Sequence, residues 1–379
     1  MKRTCPNEEF RVMQVLGDVS GGIRKHVHDI IKSGSKYGTN IFYAHGFTLD
    51  VKAEIDVRAF DLCGIHRIEL NIAKKPHWKD VSNIFILLRY CHQNNINIIH
   101  GHGAKGGIYA RVVGFLLKIP SIYTPHGGSL HASFGYFEGS IYRLIERMLK
   151  RVTALYIFES IYSLQRFQAL CGRLAENKYI VNYNGVDETL FLSEKQWDHG
   201  VQNLVNLLVV GILRDMKGQQ VAIRALMILN RLTLFKFHLH FCGSGPEFSS
   251  LVNFCKDNFI DNVTFHGDVG DISTYYEKSN IVLVPSLFES FGYVAVEASL
   301  MLRPVIGSNC GGLIEVIQDK QTGYLFDVGD ASSLANKIID VLNDIDKTNN
   351  MVNFAKNFVA MNFTLEKMLS NIFSNYKKL

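Results

Sequence analysis

The sequence predicts an α/β protein made of two Rossmann-like, doubly wound domains in tandem, facing a central cleft. Three observations carry this. Apolar runs alternate with helix-like segments along the whole chain, in two successive series. Most of the runs are continuous rather than alternating, as in parallel strands buried on both faces. The length, 379 residues, exceeds what a single ordinary core organises.

The first strand series reads "FRVMQVLG" (10–17), "TNIFYAHG" (39–46), "INIIHGHG" (96–103), "PSIYTPHG" (120–127), "ALYIFES" (154–160) and "KYIVNYNG" (178–185). The second reads "NLLVVGIL" (206–213), "FHLHFCG" (237–243), "VTFHG" (263–267), "NIVLVPS" (280–286), "PVIGSN" (304–309) and "GYLFD" (323–327). Segments such as "GIRKHVHDIIKSG" and "GQQVAIRALMIL" supply the intervening helices. The polar stretch "LSEKQWDHGVQN", without periodicity, marks the break. The expected domains are 1–196 and 197–360, with a helix over 361–379 packing back on the first.

Composition narrows the class. Hydrophobic residues make up 47% and charged residues 20%, which is globular rather than disordered. Seven scattered cysteines without a C-x-x-C pair fit reduced thiols, not a disulfide framework or a zinc ribbon. No run of 18 apolar residues occurs, and the N-terminus lacks an apolar signal core, so a cytoplasmic location is expected. Residues 1–195 hold 25 Lys and Arg against 17 Asp and Glu; the remainder holds 15 against 18. The basic half suits an anionic partner, such as the inner face of a membrane or a phosphorylated lipid, as well as a plain solvated surface. No nucleic-acid partner is expected.

Ligands of open parallel sheets bind beyond the carboxyl ends of the strands. The loops there include "GDVSGGIRKH", "TPHGGSLH", "GILRDMKG", "CGSGPE" and "SLFESFG". The stretch "LFESFGYVAVEASL" (287–300) places Glu289 before a helix and Glu297 about two turns into it. Ser290 is the expected N-cap, and the amides of Ser290, Phe291 and Gly292 form an expected phosphate site. A nucleotide sugar matches that layout, with hydroxyls of the sugar and of the ribose for the two carboxylates. A surface carboxylate pair on an ordinary helix is the plain alternative, but a charge within the apolar run around Glu297 would be costly.

Three other patterns compete. "GHGAKGG" matches the dinucleotide fingerprint at Gly101, Gly103 and Gly106, yet the acidic residue expected about 20 positions on is missing. Lys105 and these glycines are expected to line the acceptor side of the cleft. His100, His102, His126 and His131 lack ligand spacing, so no metal site is expected. "SIYRLIERMLKRV" (140–152) carries Ile141, Leu144, Ile145, Met148 and Leu149 at helical spacing. A core-facing stripe is the favoured reading, with a membrane-surface helix the alternative.

"FESFGYVAVEA" followed by "RPVIGSNCGGLIEVIQDKQTGYLF" resembles the donor-binding half of glycosyltransferase family 4. "SGGIRKHV", "TPHGG", "VGILRDMKG" and "GSGPE" extend the resemblance over most of the chain. It implies a GT-B fold and retaining transfer from a nucleotide-diphospho sugar, UDP- or GDP-linked, with no cofactor; Arg, Lys and helix amides can stabilise the leaving phosphate by themselves, so metal-independent transfer is expected. It gives Glu289 to the donor sugar, Glu297 to the ribose and Lys217 to the diphosphate. Ile212 stands where the family often has Arg, so Arg214 is expected to supply the second cation. Gly21 and Gly22 match the loop reaching the donor phosphate, and His126 a histidine near the sugar. Gly243 and Gly245 line the nucleotide side, and Val269 meets the base through its backbone. A saccharide or lipid-linked saccharide acceptor, in bacterial surface polysaccharide or lipopolysaccharide synthesis, follows from the same resemblance. The rivals are a sugar-nucleotide epimerase and a non-catalytic sugar-nucleotide-binding protein.

Overall fold

The computed structural model describes residues 10–17, 21–46, 51–73, 76–127, 136–193, 197–198 and 204–379. The chain divides into two compact units: Met1–Tyr183 with Met368–Leu379, and Asn184–Lys367.

The first unit holds a seven-stranded sheet of β1 (Phe10–Leu16), β2 (Thr39–Gly46), β3 (Arg67–Leu70), β4 (Ile98–His102), β5 (Ser121–Thr124), β6 (Leu155–Phe158) and β7 (Tyr179–Val181). Their order is β3-β2-β1-β4-β5-β6-β7, and the pairs are parallel. β3, read "RIEL", carries no apolar run and escapes the sequence reading. As an edge strand it is buried only at Leu70. Met13, Val15, Ile99, Tyr109, Ala110 and Val113 form part of a core beneath this sheet.

The second unit holds β8 (Leu204–Val210), β9 (Lys236–Cys242), β10 (Val263–Phe265), β11 (Ile281–Val284), β12 (Val305–Ser308) and β13 (Tyr324–Phe326), in the order β10-β9-β8-β11-β12-β13, again parallel. Its core joins Val205 and Leu207 of β8, and Phe237, Leu239 and Phe241 of β9, to the helices Gln219–Leu232 and Ala331–Asn343.

The second unit begins before the expected division at 196/197, for a physical reason. Val186 bridges to Thr364, with its N–H donating to Phe363 O at 2.9 Å and its carbonyl accepting from Leu365 N–H at 3.0 Å. Trp197 is buried in the second core, its Nε1–H donating to Asn280 O at 2.6 Å. At the other end, the helix Leu365–Tyr376 buries Leu369, Ile372, Phe373 and Tyr376. The Phe373 ring stacks on Tyr37 at 4.4 Å, within the first unit.

The helix Tyr136–Leu149 corrects the expected core-facing stripe. Ile141, Leu144 and Met148 are exposed, while Tyr142 and Glu146 are buried. Glu146 points inward because Arg111 meets it with two parallel bonds, at 2.6 and 3.0 Å. The Arg111 guanidinium lies 3.9 Å from the Tyr123 ring centre. A buried carboxylate matched in this way takes a place that an apolar-stripe reading gives to leucines.

Candidate functional site

In each sheet the strand order reverses once, between β1 and β4 and between β8 and β11. Crevices for ligands open at such reversals, beyond the carboxyl ends of the strands. In the second unit the segments leaving β8 and β11 carry Lys217 and Glu289. Lys217 Nζ donates to Glu289 Oε2 at 2.6 Å, and Ser286 Oγ lies 3.3 Å from the same oxygen. Leu287 N–H donates to Met216 O at 2.8 Å, tying the two segments together. Gly218 lets them approach: a Cβ there would meet Pro285 O at 1.9 Å. Lys217, Gln219, Ser286, Glu289 and Val294 border one pocket. Arg214 is exposed and precedes the 3-10 turn Asp215–Lys217.

The loop after β12 braces Glu289 from behind. Gly312 N–H donates to Glu289 O at 2.9 Å. A Cβ on Gly311 would meet Glu289 O at 1.9 Å, and one on Gly312 would meet Ser290 O at 2.1 Å. Burial, with Glu289 nearby, pushes the Cys310 thiol up to about 11, so it stays protonated, and its Sγ lies 3.3 Å from Ser286 O.

Ser290 is not the helix N-cap. The helix runs Tyr293–Leu300 and its N-cap is Gly292, at φ +112°. A glycine in that backbone region starts the helix later than a serine cap would, which moves the first-turn amides on to Tyr293 and beyond. Phe291 is buried. Glu297 is buried too, and Tyr276 Oη–H donates to its Oε2 at 2.8 Å. Burial and the Glu297 carboxylate hold the Tyr276 hydroxyl well above its ordinary value, so it remains a donor. Nothing in the sequence singles out Tyr276; only folding brings it to Glu297.

Gly243 and Gly245 follow β9. A Cβ on Gly243 would meet Gly211 O at 2.1 Å, and one on Gly245 would meet Leu213 O at 2.3 Å. Both let the loop after β8 pass close by. Asp268 accepts from Ser244 N–H at 3.0 Å and Ser244 Oγ–H at 2.6 Å, which places the Val269 loop beside them. The sequence holds one Asp-x-Asp triplet, Asp344-Ile345-Asp346. It is a helix cap, with Asp344 accepting from Lys347 N–H at 3.0 Å.

The remaining expected residues lie in the first unit. Gly21, at φ +60°, opens the helix Gly21–Ser33, with Gly22 next. His126 follows β5 with φ +49°. Its Nδ1 lies 2.6 Å from Glu159 Oε2 and its Nε2 3.1 Å from His102 Nδ1. His100 is bonded to Tyr376 Oη at 2.7 Å and Thr124 Oγ1 at 2.8 Å. His131 lies outside the described residues.

The glycines of "GHGAKGG" serve packing. A Cβ on Gly106 would meet Val15 O at 2.4 Å, and one on Gly107 the Tyr123 ring at 2.2 Å. Lys105 is ion-paired to Asp80 at 2.8 Å. The expectation that these residues line an acceptor surface is replaced by a helix Gly103–Leu117 pressed onto its sheet.

Two parallel doubly wound sheets, with a Lys–Glu pair at the second switch point, are the architecture of the GT-B fold. Residues 20–190 match the family described as Glycosyltransferase Family 4, and residues 194–358 match Glycosyl transferases group 1. The chain belongs to glycosyltransferase family 4. It is 28% identical to a 41.2 kDa protein of the cps region of Klebsiella pneumoniae, over 78% of this chain and 83% of that one. It is 26% identical to the capsular polysaccharide biosynthesis glycosyltransferase CapM of Staphylococcus aureus, over 70% and 73%. The crystal structure of Anabaena Alr3699/HepE in complex with UDP superposes with a TM-score of 0.79 at 20% identity, covering 98% of this chain and 100% of the other. No helix among the described residues is long and apolar enough to cross a membrane.

Proposed function

We propose that this glycosyltransferase moves a sugar from a nucleotide-diphospho-sugar donor, UDP- or GDP-linked, to a saccharide or lipid-linked saccharide acceptor, with retention of configuration. The pathway is bacterial surface polysaccharide synthesis, in keeping with the capsular relative. The observation that carries the reading is the Lys217–Glu289 pair at the β8/β11 switch point, with Glu297 held by Tyr276 behind it.

Lys217 and Arg214 take up the charge that develops on the leaving diphosphate, together with backbone amides at the start of the helix Tyr293–Leu300. This arrangement needs no metal at the phosphates. Glu289 accepts from sugar hydroxyls and Glu297 from the ribose. Gly243, Gly245 and Val269 border the nucleoside. The first unit receives the acceptor, and Gly21, Gly22 and His126 are its proposed substrate-binding residues.

The exposed Ile141, Leu144 and Met148, with exposed Arg147 and Arg151 on the same segment, suit an anionic bilayer surface, where a lipid-linked acceptor resides. A thermal-shift panel with UDP, GDP, ADP, CMP and NAD, with and without magnesium, tests the donor reading. A magnesium-independent shift with one nucleoside diphosphate is expected. A shift with NAD alone overturns it. Tight donor binding without transfer to any acceptor extract would favour a binding protein, and turnover without acceptor an epimerase.

A further inference from the structure

Three imidazoles meet at the carboxyl edge of the first sheet. His26 comes from the helix Gly21–Ser33, His102 ends β4, and His126 follows β5. One nitrogen from each lies within 4.8 Å of the others, and all three residues are buried. The ring centres are 5.6 Å (His26–His102), 4.8 Å (His26–His126) and 5.4 Å (His102–His126) apart. A tetrahedral ion with metal–nitrogen bonds of about 2.0–2.1 Å holds its nitrogens about 3.3 Å apart and its imidazole centres about 5 Å apart. His102 Nδ1 and His126 Nε2, at 3.1 Å, already stand near that spacing.

The outer nitrogens are equally informative. His126 Nδ1 faces the Glu159 carboxylate at 2.6 Å, and His102 Nε2 faces Gln14 Oε1 at 2.8 Å. Gln14 is fixed in turn, its Nε2–H donating to Tyr376 Oη at 3.0 Å. His102 is oriented as metal-binding imidazoles are, with its outer nitrogen bonded to an oxygen, and the outer nitrogen of His126 has a carboxylate at ion-pair distance. Glu159, itself buried, supplies compensating negative charge.

We propose that His26, His102 and His126 form a binding site for one divalent transition cation of the zinc class, with Glu159 and Gln14 as outer partners. An all-nitrogen set favours zinc, cobalt or nickel over magnesium and calcium, which take oxygen. A fourth position is left for water or a ligand oxygen. The site belongs to the first unit and is separate from the cations proposed for the phosphates, but it takes His126: with Nδ1 at Glu159 and Nε2 on a cation, that ring keeps no nitrogen for a sugar hydroxyl, which would meet the fourth position instead. Sequence spacing hides it, because positions 26, 102 and 126 come together only through the strand order β1-β4-β5.

The test is calorimetric titration of the full metal-free chain with Zn²⁺, and visible absorption with Co²⁺. One equivalent of zinc, and the intense visible bands of a four-coordinate cobalt site, are expected; magnesium gives neither. His26→Ala and His102→Ala should each weaken zinc at least about 100-fold, and Glu159→Gln about 10-fold. His92→Ala, on the surface, should change nothing. Circular dichroism checks each fold, and His26→Asn replaces any alanine variant that fails it. No saturable zinc binding by the unaltered chain, or equal affinity in the folded His26 variant, overturns the proposal.

Discussion

Lys217 Nζ lies 2.6 Å from Glu289 Oε2, across 72 positions of sequence. Each group offsets the other's charge, so a phosphate arriving at Lys217 competes with a carboxylate. Lys217→Ala removes a charge-assisted bond of roughly 1.5–3 kcal/mol, and kcat/KM should fall about 10–100-fold. Glu289→Ala should lower turnover more than nucleotide affinity. Steady-state kinetics beside nucleotide titration separates the two. Unchanged transfer by Glu289→Ala would end the proposed role.

Tyr276 positions Glu297 from a fully buried site. Tyr276→Phe leaves a buried carboxylate oxygen without this donor. The donor KM should rise about 10-fold with kcat largely kept, and Glu297→Ala should weaken donor binding by roughly 1.5–3 kcal/mol. If Tyr276→Phe lowers kcat and leaves KM alone, its role lies elsewhere.

Two glycines separate backbone strain from crowding. Gly311 has φ +57° and its Cβ would meet Glu289 O at 1.9 Å. Gly38 has φ +64° with nothing within 4 Å. Gly38→Ala should cost about 1 kcal/mol, for the left-handed backbone alone. Gly311→Ala should cost more, about 2–4 kcal/mol, and abolish transfer by displacing Glu289. Denaturation midpoints and activity read both.

His240 gives a pH signature. Burial, then the charges of His238 and His266, lower its pKa from 6.5 to about 4. The unfolded chain therefore takes up the proton first. The His240 contribution to stability is full above about pH 6.5, falls as pH drops, and levels out below about 4, by at most ~3 kcal/mol. His240→Asn should flatten that fall. Trp197, buried in the second core, reports the unfolding by fluorescence.

Binding to anionic vesicles tests the exposed face of the helix Tyr136–Leu149. Leu144→Glu with Met148→Glu should abolish flotation with such vesicles and leave donor binding intact. Undiminished flotation of that variant would rule this face out.

Strand positions are legible because buried parallel strands are continuous apolar runs, and the loops bearing Lys217 and Glu289 follow two of them. β3 is not, because an edge strand needs little apolar surface. Ser290 misleads as a cap since Gly292 at φ +112° delays the helix. Tyr276, Glu159 and Gln14 act through contacts set by strand order, which no local pattern encodes. The stripe at Ile141 misleads because Arg111, 35 positions from Glu146, makes that glutamate an inward residue.

Tyr376 bonds to both Gln14 and His100 in the first unit, after the chain has built the second. During synthesis the first unit must therefore wait. Its opening strands leave the ribosome early, yet the hydroxyl that joins β1 to β4 emerges only after the whole second unit. Until then Gln14 and His100 lack that partner, and a nascent chain stalled within the second unit would expose the surface that Phe373 and Tyr376 later cover.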